Sequence, residues 1–158
     1  MKSTFENEIN KNDYLIYTCV GNSMNPLIYQ DRDLVIIKKP YSRLKKYDVP
    51  LYRRKKGVYV LHRILKVRKK DYVICGDNRW SKEYGITDRH IIGVLEKVIR
   101  NGKEVNVTDW KYRLYVHLWC DLFPVRAFIL RSHHILSKIR RRLGKLYEKQ
   151  HRKTGRSK

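Results

Sequence analysis

The sequence predicts a mainly β protein, a small, coiled, partly closed antiparallel sheet followed by a C-terminal basic helical extension. Three observations predict it. Short runs rich in Val, Ile and Tyr succeed one another from Tyr14 to about Thr108, punctuated by Gly, Pro and Asp turns. The runs lie too close together for helical crossovers, which argues against βαβ units. After Thr108 the period changes to that of helices, with Lys and Arg crowding the non-apolar positions. The 158 residues therefore divide into a β domain over 1–108 and a helical extension with a tail over 109–158.

The first dozen residues are polar and are expected to be loose. Strands are predicted over Tyr14–Val20, Asp33–Lys38, Val49–Arg53, Val58–Val67, Asp71–Cys75, Ile91–Arg100 and Glu104–Thr108. Arg53-Arg54-Lys55-Lys56-Gly57 and Arg68-Lys69-Lys70-Asp71 read as hairpin tips, where like charges splay into water. Asn101-Gly102 is a strong two-residue hairpin signal. Asp109 can cap a helix reaching about Phe123, and Pro124 suits the first position of the next. In that second helix Val125, Phe128, Ile129, Ile135, Leu136, Ile139 and Leu143 share a face, while Arg126, Arg131, Lys138, Arg140 and Arg141 lie elsewhere. The basic tail beyond Gly144 is expected to be disordered.

Composition narrows the function. Apolar residues make up 42% of the chain, enough for a core, and the net charge of +22 directs it toward anionic partners. The excess is concentrated: residues 124–158 hold 12 basic side chains against the single acid Glu148. Cys19, Cys75 and Cys120 have neither metal nor disulfide spacing, which excludes a disulfide framework and points to a reducing compartment. No cofactor is implied. His133-His134, without further ligands, does not make a metal site. No signal peptide is visible, and the most apolar stretch, Leu114–Leu130, is broken by His117, Asp121, Pro124 and Arg126. The expected location is cytoplasmic, or peripheral at a membrane.

Three strings carry chemistry. Gly21-Asn22-Ser23-Met24-Asn25-Pro26-Leu27 follows the first strand, and by itself is an ordinary loop in which Ser23 stays inert without a base. In Val58–Leu65, alternation sets His62 among Val58, Val60 and Ile64, on the side expected to face inward. A histidine so placed is commonly a packed core residue, although a neutral imidazole is also what a general base requires. Cys75-Gly76-Asp77-Asn78 ends a strand in a good β-turn sequence. Its functional reading is a carboxylate that orients His62, and Glu83, six residues after Asp77, offers a second acid.

Together the three strings resemble the signal peptidase I and LexA-type serine peptidases, over roughly residues 14–100. Ser23-Met24-Asn25-Pro26 matches the family's Ser-Met-x-Pro form. Asp33-Leu34-Val35-Ile36-Ile37 is similar to its Asp-x-Val strand, Asp48-Val49 to the next such element, and Ile91-Ile92-Gly93-Val94 to its closing strand. Leu61-His62-Arg63-Ile64 stands where the commoner branch carries a lysine base. With Gly76-Asp77-Asn78 downstream, it is similar to the Ser/His branch typified by the endoplasmic-reticulum signal peptidase.

The resemblance implies a sheet of the LexA/signal peptidase type and a serine endopeptidase that cuts a leader or signal segment after a small residue. Ser23 would be the nucleophile, with its own backbone N–H serving the oxyanion. His62 would be the base and Asp77 would hold the ring, with Glu83 replacing or assisting it. Gly21 departs from family members that carry a hydroxyl two residues before the nucleophile. Arg32 and Tyr47 stand where glycine usually precedes the aspartate. The family's spanning anchor has no counterpart here.

The implied partner is an extended peptide or preprotein. The aromatics Trp110, Tyr112, Tyr115 and Trp119, with the basic amphipathic helix after them, read in two ways: packed onto the β domain with their charges solvated, or in peripheral contact with an anionic membrane. Nucleic acid is the lesser alternative for the basic extension. A LexA-type self-cleaving regulator is the alternative on the catalytic side. His62 in place of lysine argues against it, as do the 22 residues before Ser23, too few for a helix-turn-helix domain.

Overall fold

The computed structural model describes residues 4–54 and 57–154, with side chains through 145 in the last helix. The expected charged tip at Lys55-Lys56 lies outside the described residues. The fold is mixed β: a curled antiparallel half-barrel sheet, a second small sheet and three helices.

Of the first dozen residues, which were expected to be loose, residues 1–3 lie outside the described residues and Phe5–Asn12 instead form helix α1. Thr4 caps it by accepting the Asn7 amide at 3.3 Å, Glu6 and Glu8 sit in its first turn, and Lys11 in its last. One residue ties it down. Ile9 is fully buried, and Phe5 stacks near Tyr17 and Tyr59.

The larger sheet runs β1-β2-β8-β3-β4, all antiparallel, with β9 also on β8. Its strands are β1 (Tyr14–Thr18), β2 (Asp33–Lys38), β3 (Pro50–Arg53), β4 (Tyr59–Leu61), β8 (Ile91–Arg100) and β9 (Lys103–Asn106). Bulges at Ile36/Ile37 and Leu51/Tyr52 curl it, as extra residues on one strand do. The β8–β9 turn takes positive φ at Asn101 and Gly102, the conformation for which that dipeptide was read.

The predicted strand Val58–Val67 breaks at His62. After Leu61 the chain leaves the large sheet, and from Arg63 it forms β5 (Arg63–Val67) of a second sheet, paired to β6 (Tyr72–Cys75) and then β7 (Glu83–Ile86). Strand alternation therefore fails locally, and the consecutive residues His62 and Arg63 are both buried. Strand β7 was not expected, because Glu83 and Gly85 interrupt its apolar pattern.

Helix α2 (Trp110–Asp121) starts after Asp109 as predicted, and α3 follows from Phe123. Gly144 does not end α3, which continues through Thr154 rather than giving way to a disordered tail. For three of the aromatics the structure follows the reading in which they pack onto the β domain. Tyr112 accepts from Arg63 Nη1 at 2.8 Å, Tyr115 donates to Asp77 Oδ2 at 3.0 Å, and Trp119 Nε1 donates to the Asp77 carbonyl at 2.8 Å. Only Trp110 of the four stays well exposed.

Arg63 and Asp77 stand at the centre of this contact. Both are fully buried and meet as a fork, Nε to Oδ1 at 2.9 Å and Nη2 to Oδ2 at 2.7 Å. Removing one partner of such a pair leaves an uncompensated buried charge, which costs about 3–5 kcal/mol. Asp77→Ala is therefore expected to lower unfolding stability by about that amount in urea denaturation, with loss of the α2 docking.

Candidate active site

Ser23 lies in the loop between β1 and β2, and that loop is held at both ends. Met24, Leu27 and Ile28 plug it into the core. At its far end buried Asp33 accepts from the Tyr29 amide at 3.0 Å and from Arg32 and Arg100, while Arg100 also donates to the Leu27 carbonyl at 2.7 Å. Burial alone would push the Asp33 carboxyl up, but the hydrogen bonds from Arg32 and Arg100 hold it well below the usual carboxylate range. The Asp33 segment thus anchors the serine loop.

The near end is clamped by the turn Gly76–Arg79. The Asn78 amide donates to the Ser23 carbonyl at 2.8 Å, Asn78 Nδ2 to the Asn22 carbonyl at 3.0 Å, and Arg79 Nη2 to Asn22 Oδ1 at 3.0 Å. Gly76 is required here for space. A Cβ at that position would lie 2.6 Å from the Ser23 carbonyl oxygen and 2.9 Å from His62 Nε2. The same fact measures the site, because one point touches both the serine backbone and the imidazole edge.

His62 is 6% exposed, at the break between β4 and β5. Its Nδ1 donates to Glu83 Oε1 at 2.9 Å, with the Tyr52 hydroxyl 3.3 Å away. A proton on Nδ1 leaves Nε2 with a lone pair, and Nε2 is the nitrogen beside Gly76 and Ser23. Glu83 is gripped in turn by Arg54, Nε at 2.9 Å and Nη2 at 2.5 Å. Burial raises the Glu83 carboxyl, but hydrogen bonds from His62 and Arg54 outweigh it and bring its pKa down to about 2.

The expectation that Asp77 orients His62 is corrected by this geometry. Asp77 spends its carboxylate on Arg63 and Tyr115, and Glu83 takes the ring nitrogen instead. The Gly76-Asp77-Asn78 string does belong to the site, but as the clamp on the serine loop. Sequence reasoning missed Arg54, assigned only to a charged hairpin tip, and Arg126, placed on the polar side of its helix. Arg126 is buried, and its Nη2 reaches the carbonyls of Gly76 at 3.3 Å and Arg79 at 3.1 Å. A basic residue at a position flanked by apolar ones, as Arg63 is between Leu61 and Leu65, is the signal that could have exposed the clamp's anchor.

Ser23, Met24 and His62 line a cleft of about 420 Å³, together with Thr18–Gly21 on one side and Val58–Leu61 on the other. A larger cavity of about 600 Å³ beside α1 contains neither Ser23 nor His62, so size does not mark the chemistry. Among the described residues no hydrogen bond joins the Ser23 hydroxyl to His62, and no acceptor takes the Ser23 amide. Catalytic contacts in sites without substrate are commonly longer than those in the reacting complex. Burial works against the cysteines as nucleophiles: it pushes the Cys75 and Cys120 thiols up to about 11 and also raises that of Cys19, which lines the cleft. No cluster fit to hold a metal ion occurs among the described residues.

Comparison with family models, with curated proteins and with solved structures finds no match to this chain.

Because the Glu83 pKa falls on folding, its ionised form contributes stability above about pH 4.5, and that contribution is lost as pH drops toward about 2. Glu83→Gln removes it. The stability gap between wild type and variant is expected to be full above pH 4.5 and to close on acidification toward pH 2, followed by denaturant midpoints across that range. A gap that is constant with pH would show that Glu83 is not held by ionic partners.

Proposed function

We propose that this chain is a serine endopeptidase of the signal-peptidase type, in the Ser/His branch, cutting an extended leader or signal segment after a small residue. The observation that carries the proposal is the placement of His62: Nδ1 lies 2.9 Å from Glu83 Oε1, so an ionised Glu83 calls the proton to that nitrogen, and Nε2 borders the same point at Gly76 as the Ser23 carbonyl. A curled antiparallel sheet with the serine loop between β1 and β2 supports the LexA/signal peptidase type of architecture.

In the proposed reaction the Ser23 hydroxyl attacks the scissile carbonyl as His62 Nε2 takes its proton. The tetrahedral oxyanion is met by the Ser23 backbone N–H. The imidazolium, stabilised by Glu83, then protonates the leaving amine, and the peptide bond breaks to give an acyl-Ser23 ester. Water hydrolyses the ester with His62 as base again. Arg54 keeps Glu83 ionised, so Glu83 and Arg54 are positioning residues that act through His62.

Strands β1 and β4 end the larger sheet, and residues of both line the cleft. Each offers an unpaired edge to an extended peptide, the recognition mode in which main-chain bonds give affinity and side pockets give selectivity. Met24, Ile28 and Leu61 line the cleft with Ser23 and give it an apolar wall on which a side chain of the peptide can rest.

Ser23→Ala and His62→Ala are each expected to abolish labelling by a fluorophosphonate probe and to cut turnover of a leader-peptide library by about 10⁴-fold or more, without loss of fold by circular dichroism. Labelling that persists in Ser23→Ala at any pH from 6 to 9, or none in the wild type, would defeat the proposal. Binding of polyanion that is steep in salt and indifferent to position 23 would favour the nucleic-acid alternative.

A further inference from the structure

Helix α3 is amphipathic the wrong way round for a protein whose surface is meant only for water. The side it turns to the β domain carries Arg126 and His134, with His134 packed on Trp80 at 5.2 Å between ring centres. The opposite side is apolar: Phe128 is 72% exposed, Leu136 64% and Leu143 61%. Leu114, Leu118 and Leu122 of α2 are each more than half exposed as well. Exposed apolar area on one side of a helix as long as α3 marks a contact surface.

Charge selects the occupant. Residues 123–145 contain no Asp or Glu. At about 100° per residue, the exposed apolar side chains of α3 fill about a third of its circumference, with Arg140 bordering one side and Arg142 the other. A second copy of the chain would bring these arginines against one another with Glu148 the one acid on each helix to face them. Nucleic acid would meet the guanidinium rows but leave the apolar centre without a partner. An anionic lipid surface satisfies both, taking the apolar row between its chains and the bordering arginines at its headgroups.

We propose that α2 and α3 dock in the plane of an anionic bilayer with this face inward. No helix among the described residues is long and apolar enough to cross a membrane, so the contact is interfacial. Docking is independent of the peptidase proposal, yet it bears on the cleft. Arg126, one residue from the exposed Val125, holds the turn that clamps the serine loop. A bilayer that captures α3 holds the cleft at its surface.

The test is co-sedimentation of the full chain with phosphatidylcholine vesicles and with phosphatidylcholine–phosphatidylglycerol vesicles, with circular dichroism as the control of fold. Wild type is expected to sediment with the anionic vesicles, less so at high salt. Phe128→Ser with Leu136→Ser should lower the partition coefficient at least about tenfold, and Arg140→Gln with Arg142→Gln about tenfold or more. The proposal is overturned if wild type ignores anionic vesicles or if the folded apolar double variant sediments unchanged. It is equally overturned if wild type forms, without vesicles, a dimer that the Ser substitutions dissolve.

Discussion

The guanidinium of Arg63 has no water to solvate it, and its place in the core is possible only because four surrounding acceptor contacts meet its geometry. Two come from the carboxylate of Asp77, one from the Tyr47 carbonyl at 3.0 Å and one from the Tyr112 hydroxyl at 2.8 Å. A planar donor fork accepts such an arrangement where a lysine ammonium would not. Asp77 then receives Tyr115, and its backbone carbonyl receives Trp119. The second sheet, the turn after β6 and helix α2 are thereby joined at one point. That turn positions Ser23, so the cleft inherits its geometry from an ion pair that does not touch it.

The two acids of the site divide their work by burial. Asp77, with no exposure, can remain charged only against a permanent cation. Glu83 sits at the rim, a quarter exposed, where Arg54 grips it from the solvent side and His62 from the core side. A carboxylate in that position can stabilise imidazolium without first giving up another partner, because Arg54 and His62 occupy it together. The choice between the acids depends on how β7 lies beside β6, a tertiary fact that chain spacing does not encode.

Much of the frame was legible in local chemistry. Strands β2 and β8 fall on their predicted bounds, since their apolar runs are long and closed by charged or turn residues. Ser23 and His62, nearly forty positions apart, line one cleft. What escaped detection had weak or misleading local signals. Helix α1 depends chiefly on one buried isoleucine within a polar stretch, and β7 carries a glycine with positive φ. Helix α3 passes Gly144 because its neighbours are strong helix formers that outweigh one glycine. Periodicity located the apolar face of α3, but periodicity alone does not say whether such a face turns toward the protein.

The crossing of the chain from one sheet to the other at His62 has an evolutionary corollary. Within a continuous strand, neighbouring side chains fall on opposite faces, so an imidazole and a guanidinium side by side are both enclosed only where both faces are covered, as in β6. The crossing instead lets adjacent codons specify an imidazole of the cleft and a structural cation. It also makes this stretch intolerant of length change: losing a single residue would deliver the arginine to the cleft and leave Asp77 facing an aliphatic wall. Drift here is confined to substitution.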